Sequence, residues 1–332
     1  MTNIEQINNF FFIKFILWIM LSFIAVFLNK KKNSNICIFL LFIIIFFLQD
    51  DNTDLFHYKR SFLANVYDAD LGFIWLQLFL KSLPLDHEVS FNILKLSSFF
   101  LFFLIPKKNG GLIYIIFASH FFFLAIFNNL RQGIACTLIL VGLINLFDNK
   151  KRGLIFLFLS PFFHLSSLFI LVLIIFLRKL HFINKNYNLI FIIISSLAVS
   201  IILNFLSELL ELYNQYYRDF EVDASGTRTN PFLKQLLVFI YLLILTELKY
   251  LKDNNLISLL IKLRIMIFLM SSYALFITGS NDLAGRILYY FYAFDALYFS
   301  YLIYTLKLSL PRKIIYFFSV IISPSVLTIL NL

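Results

Sequence analysis

Leu157-Phe158-Leu159-Ser160-Pro161-Phe162-Phe163-His164-Leu165-Ser166-Ser167-Leu168 sits in the middle of an apolar run, residues 154–177, and interrupts it with a proline and a histidine. The run is long enough to cross a bilayer, since roughly 30 Å of hydrocarbon asks for about 17 to 25 apolar residues per helix. Proline removes a backbone donor and clashes with the preceding turn, so a helix kinks or ends near it. Irregular backbone at membrane depth survives only when it is buried in protein or lines a wet cavity. Whether this run crosses, or enters and returns as a broken hairpin, sets the side on which every later loop falls.

The distribution of lysine and arginine decides between the two, because cytoplasmic loops carry the excess of positive charge. If the run returns on the side it entered, the inner loops hold Lys30, Lys31, Lys32, Lys107, Lys108, Lys150, Lys151, Arg152, Arg178, Lys179, Lys185, Lys249, Lys252, Lys307, Arg312 and Lys313. The outer loops then hold Lys59, Arg60, Lys81, Arg131, Arg218, Arg228 and Arg286, a balance of 16 inside to 7 outside. If it crosses fully, all later loops change side and the balance becomes 11 to 12. The broken, re-entrant hairpin is favoured.

Composition agrees with a membrane solvent. The 332 residues are 61% hydrophobic and 14% charged, with a mean hydropathy of +0.88, far from the balance of a soluble domain. The formal net charge of +10 is scattered over short loops; no basic domain forms, so nucleic acid is not an expected partner. Cys37 and Cys136 both fall in apolar runs, which leaves neither a disulfide framework nor a cysteine metal site. The first apolar run is followed by Lys30-Lys31-Lys32 and has no small-residue cleavage site, and it reads as a retained span. With that run included, spans are predicted near residues 10–28, 36–48, 89–105, 112–127, 133–147, 189–205, 232–250, 256–277, 287–306 and 313–330, with 71–80 too short to cross and better suited to an interface. The expectation is a single all-α polytopic membrane domain over residues 1–332, with about 10–12 transmembrane helices, and with residues 49–70 and 207–231 as outer-face loops. No internal repeat is visible.

Polar side chains gather at a few places on the expected outer face. In Asn128-Asn129-Leu130-Arg131-Gln132-Gly133-Ile134-Ala135, a charge stands between two apolar runs, where it costs several kcal/mol unless it is paired or reaches an interface. On a helix, Asn128 and Ala135 would share its face, and Gln132 would extend the polar lip. A guanidinium suits phosphate oxygens and does not titrate away; an interfacial arginine reaching toward lipid headgroups is the alternative. In Asn281-Asp282-Leu283-Ala284-Gly285-Arg286-Ile287-Leu288-Tyr289-Tyr290, Asp282, Arg286 and Tyr290 follow an i, i+4, i+8 progression. That pattern fits either a site or an ordinary acid–base pair at a helix start.

If residues 50–60 are helical, Asp54, His57 and Tyr58 cluster an acid, an imidazole and a phenol, suited to a sugar acceptor or a general base. Asp50, Asp51 and Asp54 would also suit a hard cation, although their spacing matches no dedicated metal loop. His164, beside the helix break, is either a hydrogen-bonded structural histidine or a functional one. Acids and tyrosines at Glu208, Glu211, Tyr213, Tyr216, Tyr217, Asp219, Glu221 and Asp223 suit sugar binding or a membrane interface. There is no glycine-rich phosphate loop, HExxH pair, CxxC motif or nucleophile elbow.

Asn128-Asn129-Leu130-Arg131-Gln132-Gly133-Ile134-Ala135 followed by Phe162-Phe163-His164-Leu165-Ser166-Ser167 resembles the "(N)xxRQxxA … FHxS" pattern of EpsG-type, Wzy-like polysaccharide polymerases. Asp54-Leu55-Phe56-His57-Tyr58 is similar to their early D-x-x-x-Y element, and Gly285-Arg286-Ile287-Leu288-Tyr289-Tyr290 to their late Arg-aromatic element. Asp70-Leu71-Gly72-Phe73 departs from an E-x-G-[FY] element by an Asp in place of Glu. The motifs spread from Asp54 to Tyr290, over most of the chain.

This resemblance implies a multi-pass protein of the bacterial inner (plasma) membrane with a GT-C-like helical fold. Such proteins work at the outer face and join oligosaccharide repeat units carried on undecaprenyl diphosphate, both donor and acceptor being lipid-linked. Membrane lipid and a chain-length regulator are the further partners it implies, and no cofactor or metal is called for. Arg131 and Arg286 would stabilise the diphosphate leaving group. His164 is the first candidate for the base that takes the acceptor proton, with Asp54 or Asp282 in reserve. Asn128, Gln132, His57, Tyr58, Asp282 and Tyr290 would bind substrate. An O-antigen ligase, a flippase or transporter of the lipid-linked unit, and a membrane O-acetyltransferase are the competing readings.

Overall fold

The computed structural model describes residues 16, 17, 19, 20, 22–24, 53–65, 70–105, 129–183, 255–276, 281–305 and 309–317. The spans expected at 36–48, 112–127, 189–205 and 232–250, most of those at 10–28 and 313–330, and the outer loop 207–231 lie outside these residues. Among the described residues the regular structure is helical throughout, with no strand. The helices are α1 (Thr53–Leu63), α2 (Leu71–Ser82), α3 (His87–Phe102), α4 (Leu130–Phe147), α5 (Arg152–Phe163), α6 (Ser167–Ile183), α7 (Asn255–Phe276), α8 (Asn281–Thr305) and α9 (Leu310–Tyr316). Among the described residues two stretches, Leu130–Phe147 and Leu256–Tyr273, are long and apolar enough to cross a membrane. The chain divides into two compact units, Met1–Val172 with Phe299–Ile322 and Leu173–Tyr298 with Ser323–Leu332.

In the first unit α4 is the central element. It is apolar on nearly every side and its residues from Leu130 to Asn145 are buried apart from Arg131, the pattern of a helix surrounded by other protein. Its 18 residues extend about 27 Å at 1.5 Å per residue. Leu130, Ile134 and Leu138 face Leu55 and Phe62 of α1, Phe73 and Leu80 of α2, and Phe91 and Leu94 of α3 in one core. Polar ties hold the outer parts of these helices together. Lys59 meets Glu88 at 3.2 Å, and the Lys81 ammonium, its pKa lowered by burial, donates to Asn65 Oδ1 at 2.6 Å.

Helix α5 folds back along α4 at very close range. A Cβ on Gly153 would lie 2.5 Å from the Gly142 carbonyl oxygen, so the pairing depends on glycine in both helices. The turn between them uses Asn149 in the left-handed region, φ 58°, a conformation asparagine tolerates better than most residues. Arg152 Nε then donates to Asn145 Oδ1 at 2.7 Å, while Asn145 Nδ2 donates to Val141 O at 2.9 Å, which pins the corner.

The break in the 154–177 run falls later than the proline. Pro161 lies inside α5, which continues to Phe163. Without an N–H at Pro161, the Leu157 carbonyl loses its usual helical donor, and Ser160 Oγ donates to it instead at 2.8 Å. The chain leaves the helix at His164, which is extended at φ −158°, ψ 115°, and α6 starts at Ser167.

Three expected boundaries also move. Residues 49–70, read as a loop, contain α1. The span expected from 133 starts at Leu130, because Arg131 and Gln132 find partners or burial within the fold and need not stay outside the helix. The span expected from 287 starts at Asn281, so Asp282, Arg286 and Tyr290 do lie on one helix.

Helix α2 matches the short apolar segment expected at 71–80. Its stripe of Leu71, Trp75, Leu78 and Phe79 is exposed, Trp75 to 71%. An uncovered hydrocarbon face of this kind is anomalous in water and natural against lipid.

Candidate functional site

The site in the first unit is assembled by a close approach of α2 to the end of α5. A Cβ on Gly72 would meet the Phe162 carbonyl oxygen at 2.8 Å, so only glycine lets the two backbones come this near. This contact brings Asp70, the N-cap of α2, to the α5–α6 break. The Asp70 side chain does not cap its own helix. Its Oδ1 accepts from the Leu165 backbone N–H at 3.3 Å, and its Oδ2 accepts from Arg131 Nη1 at 3.4 Å.

Arg131 projects from the first turn of α4, whose N-cap is Asn129. Its Nε donates to the Tyr58 hydroxyl of α1 at 3.4 Å, and its Cζ lies 5.9 Å from the Tyr58 ring centre. Tyr58 is held in turn by an edge-on contact with Phe73, ring centres 5.7 Å apart, and Phe73 is buried in the core. At the break, the Ser166 backbone N–H donates to His164 Nδ1 at 3.4 Å, and Ser166 Oγ lies 3.0 Å from the same nitrogen. Ser167 Oγ donates to Ser160 Oγ at 3.2 Å and closes the turn.

Four separated stretches of sequence therefore meet: Tyr58, Asp70-Leu71-Gly72-Phe73, Arg131, and His164-Leu165-Ser166. Three helices, α2, α4 and α6, begin at this point. Helix N-termini carry partial positive charge, and a guanidinium adds a full charge. The Arg131 and Asp70 side chains remain 27% and 21% exposed, so an incoming anion can reach them. The arrangement is suited to a phosphate or diphosphate group.

The other expected residues fall differently. Gln132 is buried at 4% exposure beside Arg131. His57 is exposed, touches Phe56 edge-on at 6.1 Å, and takes no part in the cluster. Asp54 is on α1 and Asp282 on α8, but the placement of their side chains lies outside what is described, as does Asn128. Asp50 and Asp51 are likewise outside, and among the described residues no group of three or more His, Cys, Asp or Glu is set to hold a metal ion. Arg286 and Tyr290 belong to the second unit. There Arg286 is exposed at the start of α8 and Tyr290, one turn on, is buried at 2%.

Sequence reasoning gave no site role to Asp70, although it noted the residue as a departure from a motif. It also missed the polar centre of the second unit. Arg264 of α7 and Asp295 of α8 form an ion pair at 2.6 Å with side chains 1% and 5% exposed, and the guanidinium carbon lies 4.4 Å from the Tyr298 ring centre and 5.4 Å from that of Phe291. The signal was present: each residue is an ionisable group inside an apolar run, which marks a paired or functional position.

A strongly apolar chain, helical throughout its described residues and with an arginine–carboxylate cluster at a junction of helix N-termini, has the character of a membrane protein. The EpsG family model matches residues 35–332, and the chain belongs to that family, the family of Wzy-like polysaccharide polymerases. It is thus a polysaccharide-related membrane protein of a family associated with glycosyltransferase-like polymerase activity. No curated protein and no solved structure matches the chain.

Proposed function

We propose that this protein is a bacterial polysaccharide polymerase that joins undecaprenyl-diphosphate-linked repeat units at the outer face of the plasma membrane. The observation that carries the reading is the meeting of Arg131 with the N-termini of α2, α4 and α6 around Asp70. In the reaction, an acceptor hydroxyl oxygen bonds to the anomeric carbon of the growing chain while the bond from that carbon to the diphosphate oxygen breaks. Charge develops on the departing diphosphate, and donors fixed where that charge appears lower the barrier. Arg131 is the cation that meets it, and Asp70 and Tyr58 hold the guanidinium in place.

The membrane arrangement belongs to the same proposal: about 10–12 transmembrane helices, GT-C-like, with α5 and α6 as a re-entrant hairpin. Helix α5 has 12 residues, about 18 Å of helix, too short to cross, and the balance of positive charge favours a return to the starting side. The apolar faces of α2 and α5 suit the polyprenyl tail.

Reconstitution with lipid-linked repeat units, followed by sizing of the products, tests the reading. Long polymer from wild-type protein supports it. Single units that stay unjoined and are moved across the membrane would replace it with a flippase, and transfer of a finished chain to a different lipid acceptor would replace it with a ligase.

A further inference from the structure

His164 is the natural first choice for the base in glycosyl transfer, yet its ring is held in a way that argues for another role. A backbone N–H can only donate a hydrogen bond. The Ser166 N–H directed at His164 Nδ1, at 3.4 Å, therefore makes Nδ1 the accepting nitrogen, and Ser166 Oγ at 3.0 Å can donate to the same atom. In a neutral imidazole one nitrogen accepts and the other carries the proton. With Nδ1 accepting, the proton is on Nε2.

The turn that imposes this is itself fixed from outside. Leu165, between the two residues, gives its N–H to Asp70 Oδ1 at 3.3 Å, and Asp70 is the partner of Arg131. The charged groups tied to this turn are thus Asp70 and Arg131, and the same carboxylate that positions the guanidinium also shapes the loop that sets the histidine tautomer. The spacing His164-Leu165-Ser166 has a physical reason: a serine two residues on places both its N–H and its hydroxyl at Nδ1.

We infer that His164 acts as a neutral ring protonated on Nε2, donating a hydrogen bond to an oxygen of the substrate diphosphate, and that it does not take the acceptor proton. This rests on the polymerase reading for the identity of the substrate. As the anomeric carbon–oxygen bond breaks, its electron pair goes to the diphosphate, where the Nε2–H and Arg131 meet it. The proton released by the acceptor hydroxyl as its oxygen bonds to the anomeric carbon goes to a carboxylate, with Asp54 the candidate.

His164→Gln separates donor from base, because a glutamine amide can donate from about the position of Nε2 and cannot accept a proton at any ordinary pH. The assay uses full-length protein in liposomes with undecaprenyl-diphosphate-linked repeat units extracted from a strain unable to polymerise them. His164→Gln is expected to stay within about tenfold of wild type, with the acid side of the pH–rate profile unchanged, whereas a lost general base costs about 10²- to 10⁴-fold. His164→Ala is expected to fall well below His164→Gln. Equal collapse of both variants, with loss of the acid limb, overturns the inference. Nitrogen NMR of ring-labelled wild-type protein, with His164→Gln identifying the signal, reads the tautomer without any activity: protonation at Nε2 is expected, and protonation at Nδ1 overturns the inference. A wild-type protein that makes no polymer while the ring is Nε2-protonated rejects the polymerase reading and leaves the tautomer standing.

Discussion

Each unit of the molecule contains an arginine–aspartate pair, and the two pairs are built in opposite ways. Arg264 and Asp295 meet at 2.6 Å with side chains 1% and 5% exposed, enclosed by Phe291 and Tyr298. Arg131 and Asp70 meet at 3.4 Å, remain 27% and 21% exposed, and lie where helices begin. Burial removes both members of the first pair from solvent, so each charge depends on the other. The second pair is longer than a tight charge-assisted hydrogen bond of about 2.7–2.9 Å, and it is open to an anion that can compete for the guanidinium. The first pair fastens α7 to α8; under the proposed function the second holds a cation for the substrate.

That contrast fixes the order of expected effects. Arg264→Ala takes the guanidinium away from a carboxylate that stays buried and should destabilise the protein by about 3–5 kcal/mol, seen as low abundance in membranes and early thermal unfolding in detergent. Replacing both members with apolar residues of similar size should recover most of that loss. Arg131→Lys should leave unfolding nearly unchanged and reduce polymer by about 10²- to 10³-fold, the usual cost of removing one donor aimed at developing charge. If Arg131→Lys instead unfolds the protein, the two pairs are alike and the contrast fails. Gly72→Ala should cost about 1–3 kcal/mol of stability through overpacking against Phe162, with polymer yield falling as Asp70 moves away from the break. Asp70→Glu should have the smallest effect, less than about tenfold on polymer yield, since it keeps the charge and the longer side chain can shorten the 3.4 Å contact to Arg131 toward ordinary charge-assisted range.

Much of the helical architecture was legible because it is written in long apolar runs. The segments at 71–80, 89–105 and 256–277 coincide closely with α2, α3 and α7. Two of the boundaries that moved, at residues 130 and 281, share a cause: polar residues that read as lying outside a helix belong to its first turns. Arg131 belongs to α4 because Asp70 and Tyr58, distant in sequence, satisfy its side chain.

The helix break was legible in Pro161 and His164, but its register was not. The Ser160 hydroxyl supplies a donor where proline removes one, a compensation visible only when the two residues are seen in the helix. Of the site, Arg131, His164 and Tyr58 stood out as residue types, whereas Asp70 and Gly72 did not. Their roles come from one backbone contact between α2 and α5, and no spacing within either segment specifies it. The Arg264–Asp295 pair could have been read from two ionisable residues inside adjacent apolar runs, the intramembrane pattern that calls for a partner.

The central claim is that Arg131 acts on the lipid-linked diphosphate and is dispensable for folding. Its most direct test is the reconstituted polymerisation assay with wild type and Arg131→Lys at matched folded concentration, products sized by gel. The account predicts long polymer from wild type and unjoined repeat units from a stably folded Arg131→Lys. Polymer of unchanged length and yield from Arg131→Lys would contradict it.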